Sequence, residues 1–118
     1  MQEITKWIAT LVAAEFVYIF ILETVMTTSD TTAKALGLDP ESLKHEDMQV
    51  SMRNQGVYNL GIAGLSLMAA WVADSKVMLA AVMVYIVAVA AYGSMTVSKS
   101  ILVKQGGFAI VALLSMIV

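Results

Sequence analysis

The sequence predicts an all-α, polytopic membrane protein: an antiparallel bundle of four transmembrane helices with a short surface helix in its first loop. Three observations carry that expectation. Of the 118 residues, 59% are hydrophobic and only 14% charged, with a mean hydropathy of +0.81. A soluble domain carries about 25% charged residues so that it can face water on every side. The apolar residues fall into four runs, Ile4–Met26, Gly56–Ala73, Val77–Val97 and Ile101–Val118. The breaks between the last three runs are Asp74-Ser75-Lys76 and Ser98-Lys99-Ser100, turns that make neighbouring helices antiparallel.

The spans are expected near residues 4–26, 55–73, 77–97 and 101–118, in a single transmembrane domain over 1–118. Roughly 20 helical residues cross a hydrocarbon core of about 30 Å. The first run is longer than the apolar region of a signal peptide, and no small-x-small cleavage site closes it, so it is expected to stay in the membrane. The second is at the short end and extends backward through Arg53. In the fourth, Lys104, Gln105, Gly106 and Gly107 occupy the first two turns. Lys104 can snorkel to the headgroups and leave Phe108–Val118 in lipid, a half-inserted helix being the alternative.

Residues 27–52 form the one long connection. Asp39-Pro40 is a helix start signal, Asp39 as the cap and Pro40 at the first helical position. The expectation is a surface helix from Pro40 toward Met52, running into the second span and acting as a lid or as a passive interfacial helix. Threading the chain puts Lys34, Lys44, Arg53, Lys99 and Lys104 on one face, Lys6 and Lys76 on the other. The positive-inside rule then places the first and third loops in the cytoplasm and both termini outside.

Polar groups within a membrane usually face a bundle interior or a wet cavity. The first helix carries Glu15 near its centre and Glu23 two turns later, about 80° apart around the axis, with Tyr18 between them. The second opens with Asn54, Gln55, Tyr58 and Asn59, in which Gln55 stacks on Asn59 and Asn54 on Tyr58. Gly61, Ala63 and Gly64 follow, small enough for another backbone to approach closely. The third ends with Tyr92, Ser94 and Thr96, and the fourth begins with Lys104 and Gln105. Antiparallel threading collects Glu23, Gln55, Asn59, Tyr92, Thr96 and Gln105 in one half of the bundle, with Glu15 at the floor of a one-sided pocket. The bland alternative is interhelical glue, worth on the order of 0.6 kcal/mol per hydrogen bond. A charged residue at mid-bilayer costs roughly 2.5–3.5 kcal/mol to insert, which favours function for Glu15.

Other chemistries find little support. A net charge of -2 leaves no footprint for nucleic acid. Zero cysteines exclude disulfides, iron–sulfur clusters and thiolate zinc. There is no nucleotide-binding loop, no nucleophile–histidine pair and no multi-histidine pattern, so no cofactor or metal is expected. His45 stands among Lys44, Glu46 and Asp47 and reads as exposed; Trp7 and Trp71 read as interfacial belt residues.

The strings Ala14-Glu15-Phe16-Val17-Tyr18-Ile19-Phe20-Ile21-Leu22-Glu23, Asn54-Gln55-Gly56-Val57-Tyr58-Asn59 and Tyr92-Gly93-Ser94-Met95-Thr96, with Val103-Lys104-Gln105, resemble the domain-of-unknown-function 1304 family. These are small four-helix integral membrane proteins widespread in bacteria, and the resemblance covers nearly the whole chain. It implies that Glu15, Glu23, Asn54, Gln55, Gly56, Tyr58, Asn59, Gly93, Thr96 and Gln105 belong to a shared core, and that the chain resides in the bacterial cell membrane. Family members often have His where this chain has Phe16, and Pro near Gly106-Gly107, so a role needing that histidine does not carry over. By size and by Glu15 the chain also looks like small multidrug-resistance transporters, without their later-helix glycine and proline signatures.

The function these features support is binding or transport of a small molecule or ion, with proton coupling as one form of it. The ligand-facing residues are Glu15, Tyr18, Glu23, Asn54, Gln55, Tyr58, Asn59, Tyr92, Thr96 and Gln105. The alternatives are a membrane-embedded enzyme acting on a lipid-soluble substrate with Glu15 or Glu23 as acid and base, and a structural or regulatory membrane partner. The expected partners are the lipid bilayer, the unidentified ligand and a second copy in a homodimer.

Overall fold

A computed structural model describes residues 1–118. The protein is all-α, with five α-helices: α1 (Glu3–Phe20), α2 (Asp30–Leu36), α3 (Glu46–Leu67), α4 (Lys76–Thr96) and α5 (Ile101–Ile117). Both α1 and α3 end in a wider π turn, Ile21–Val25 and Met68–Val72 respectively. Two helices are long and apolar enough to cross a membrane: α1 with its π turn, and α4. Neither contains proline, which would remove a hydrogen bond from the ladder, and α1 contains no glycine. Of the other two expected spans, α5 is apolar but has only 17 residues. In α3, Arg53, Asn54, Gln55 and Asn59 lie between the second and fourth turns and dilute the apolar run.

The chain divides into two compact units, Met1–Glu15 with Ala63–Val118, and Phe16–Ile62. In the first, α4 buries Leu79, Met83, Ile86 and Ala90, spaced four, three and four apart along one helical stripe. Against it α5 sets Gly106, Ala109 and Ala112. A β-carbon on Gly106 would lie 3.3 Å from that of Ala90, so the missing side chain lets the two helices close up. The turn between them is short, as expected, and Ser94 completes it by accepting the Leu102 N–H at 2.7 Å. At the other turn Asp74 takes a positive φ of 47°, and Ser75 caps α4 by accepting the Met78 N–H at 3.1 Å.

Near that turn Trp71 donates from Nε1 to Thr10 Oγ1 at 2.9 Å and meets Trp7 edge to face, with ring centroids 5.1 Å apart. Lys6 Nζ sits 5.4 Å from the centre of the Trp71 ring and 3.3 Å from Asp74. The two tryptophans, expected as interfacial belt residues, thus form one cluster.

In the second unit the long connection is folded. Ser29 caps α2 by accepting the Thr32 N–H, and Gly37 ends it in the left-handed conformation at φ 68°. The expected helix from Pro40 toward Met52 is two pieces. Asp39 caps a tight 3₁₀ turn over Pro40–Lys44 by accepting the Glu41 N–H, then the extended backbone of His45 breaks the run and α3 starts at Glu46. The break lets Leu43 turn inward, where it joins Ala33 and Met52 in a small core flanked by Leu36, Leu38 and Met48. Gln49 donates to the Leu43 carbonyl at 2.8 Å and covers a group the break would leave open.

Candidate functional site

The Phe16–Ile62 unit brings a carboxyl and an amide together. Glu23 lies inside the π turn, only 5% exposed, and its Oε1 accepts a hydrogen bond from Asn59 Nδ2 at 2.6 Å. Three features set that contact. Gly56, one turn before Asn59, admits the end of α1: a β-carbon there would overlap Thr24 Oγ1 and lie 3.1 Å from Glu23 Cβ. Thr24 donates to the Arg53 carbonyl at 2.9 Å, fastening the same two segments. Thr27 donates to the Glu23 carbonyl at 2.7 Å and pins the backbone from below.

The electrostatics are one-sided. The ion pairs in the chain are those of Asp74 with Lys6 and the N-terminal amine, and of Glu41 with Lys44. Glu23 therefore has an amide donor and no cation within 4.0 Å. Glu15, in the other unit, has a buried Oε1 with no hydrogen-bond partner. His45 is exposed, and no three His, Asp or Glu side chains come together as a metal site.

The remaining expected residues are placed differently. Gln55 stands one turn before Asn59 on the same flank of α3 and is exposed. Tyr58 is exposed at 76%, and Tyr18 and Asn54 are exposed as well, Asn54 turning its amide back onto the Val50 carbonyl at 2.8 Å. In the first unit Tyr92 and Thr96 are exposed, Thr96 bonding the Tyr92 carbonyl, and Gln105 is partly buried. Of Gly61, Ala63 and Gly64, expected to admit a neighbouring backbone, Ala63 is buried, while the two glycines have nothing within 4 Å of where a β-carbon would stand. The close approach occurs at Gly56 instead. A cleft of about 410 Å³ lies at the end of the first unit, lined in part by Gln2, Thr5, Lys76 and Ser115, and none of the ten expected residues borders it.

Sequence reasoning missed the threonines. Thr24, Thr27 and Thr32 supply the hydroxyls that hold the end of α1. Their signal was present as a run of Thr and Ser directly after an apolar segment, a composition suited to re-satisfying backbone carbonyls where a helix ends.

Comparison with known proteins agrees with the resemblance carried by the Glu15–Glu23 and Asn54–Asn59 strings. The family profile described as a protein of unknown function, DUF1304, matches residues 10–117. The chain is 41% identical over 117 residues to the uncharacterized protein YpaA of Lactococcus lactis subsp. lactis (strain IL1403), covering 98% of each. No solved structure matches. With the match running over almost its whole length, the chain belongs to the DUF1304 family.

Proposed function

We propose that this is a multi-pass protein of the bacterial cell membrane in which Glu23 and Asn59 form a binding centre for a small cationic ligand, a proton included, and that the chain carries this ligand across the bilayer. The observation that carries the reading is a carboxyl 5% exposed, held by one amide and met by no cation. A carboxyl removed from water is tolerable when a cation or a proton neutralises it. Asn59 offers a donor on one oxygen only, so the charge is left for a ligand to balance. Gln55, on the same flank, supplies a further amide at the approach to the centre.

Membrane residence rests on surface as well as length. Only 39% of the most apolar stretch of α1 and 22% of that of α4 is buried within the chain. A core helix of a soluble protein hides such a face, and lipid is the solvent that suits these. In this reading α3 with its π turn and α5 complete a four-span bundle. Lys104 then snorkels from the first turns of α5, and the long connection lies on the cytoplasmic side with Lys34, Lys44 and Arg53.

A second reading has one observation in its favour. The Gly56–Thr24 contact adjoins the Glu23–Asn59 bond, so the pair can be packing glue for α1 and α3. Glu23→Gln separates the two, because it keeps an acceptor for Asn59 and removes the charge. Vesicles of phosphatidylethanolamine and phosphatidylglycerol, loaded with a pH-sensitive dye and subjected to a proton gradient, provide the assay. The carrier reading expects protein-dependent proton movement, abolished in Glu23→Gln. Movement that persists unchanged in the variant removes Glu23 from the path.

A further inference from the structure

We infer that Thr32 is a positioning residue for Glu23, and that α2 is the brace that holds the π turn aiming the Glu23 carboxyl at Asn59. The inference builds on the binding centre proposed above and concerns how it is kept in place. In an unbroken α-helix the Met26 N–H would bond the Leu22 carbonyl; here it reaches one residue further back, to Ile21 O at 2.8 Å. The Leu22 carbonyl, on a buried residue, loses its helical donor. A buried carbonyl without a donor is costly, so the turn survives only if something else supplies one.

Thr32 supplies it from ten residues away. Its hydroxyl, fully buried, is shared between Leu22 O at 3.0 Å and Met26 O at 2.7 Å. The hydroxyl is itself held, because Ser29 Oγ donates to it at 2.9 Å while accepting the Thr32 N–H at 3.1 Å. The next residue, Ala33, packs with Leu43 and Met52, which ties α2 to the start of α3. Glu23 sits at the middle of the turn so stabilised. Closing the turn back to α geometry rotates one side of it against the other by roughly 100°. That rotation takes the Glu23 carboxyl away from a hydrogen bond of 2.6 Å to Asn59.

The absence of cysteine makes the test clean. Glu23→Cys and Asn59→Cys are introduced together and bridged with ethylene bis-methanethiosulfonate, in the full chain bearing Thr32, Thr32→Ser or Thr32→Val. A second pair, Thr10→Cys with Trp71→Cys, reports separately on the other unit. With Thr32 or the serine variant the first pair should bridge quickly. With valine, which keeps the shape and removes the hydroxyl, its rate should fall about tenfold, a change within reach of one hydrogen bond, while the second pair is unaffected. Equal rates with valine and threonine, loss of both pairs together, or failure of serine to restore the first pair would each overturn the assignment. Because no ligand takes part, a chain that binds nothing at Glu23 would still show the dependence on Thr32, so the two proposals fail separately.

Discussion

Gly56→Ala should be destabilising although alanine is the better helix former, and the size of the effect follows from what the new methyl meets. Replacing glycine by alanine inside a helix ordinarily gains about 1 kcal/mol. At position 56 the added carbon overlaps Thr24 Oγ1 and lies 3.2 Å from Thr24 Cβ and 3.1 Å from Glu23 Cβ. The last two are stem atoms that a rotamer change cannot move, so the end of α1 must shift away from α3. Overpacking of this kind costs typically 1–3 kcal/mol, and the shift also stretches the Glu23–Asn59 bond, worth about 1 kcal/mol more. Set against the gain in propensity, a net loss of about 1–3 kcal/mol is expected. Gly61→Ala and Gly64→Ala, on the same helix with nothing within 4 Å, should be neutral or stabilising. Reversible unfolding in mixed micelles, compared across the three variants, provides the assay. Equal stabilities for all three would refute the close approach at Gly56 and with it the packing that brings Glu23 to Asn59.

Three further outcomes follow from the same geometry. Ser94→Ala should cost about 1 kcal/mol, because the Leu102 N–H at the start of α5 loses its only side-chain cap; unfolding of the variant measures it directly. A double-mutant cycle of Thr10→Val and Trp71→Phe should return a coupling of about 1 kcal/mol, the net worth of the Trp71–Thr10 hydrogen bond, and additive losses would place the two groups out of contact. Asp74→Asn keeps a residue tolerant of positive φ and removes the pairing with Lys6; with the Asp74 side chain 52% exposed, less than about 1 kcal/mol should be lost, and that only at low salt.

Much of this was legible in the sequence, and the misses have physical causes. The all-α class and the two tight turns were readable because apolar runs and Ser or Asp breaks are local signals. Antiparallel threading also brought Glu23 and Asn59 together, since a turn direction suffices to say which helix ends meet. The π turn was not readable: it changes register in response to packing and to a hydroxyl ten residues away, and no residue type announces it. Which of the glycines on α3 receives a neighbour depends on which side of the helix faces it. Of the small residues singled out, Gly61 and Gly64 lie on the open side while Ala63 is buried, and Gly56 lies on the closed side. The Ser29 cap and the Gly37 stop are ordinary signals for α2, but they bracket only seven residues, too few to show an apolar period. The break at His45 follows from burying Leu43, which depends on Ala33 and Met52 being nearby.

The claim that a cationic ligand meets Glu23 is tested most directly by native mass spectra of the purified chain beside Glu23→Gln and Glu15→Gln. The account predicts a bound mass in the wild type that Glu23→Gln loses, and the mass identifies the class of ligand as well as the number of chains that hold it. A non-volatile cation can be supplied where none copurifies, with the same dependence expected. Three spectra that remain identical and unliganded across added cations, together with no Glu23-dependent proton movement in the vesicle assay, would contradict it and leave the Glu23–Asn59 pair as a packing contact.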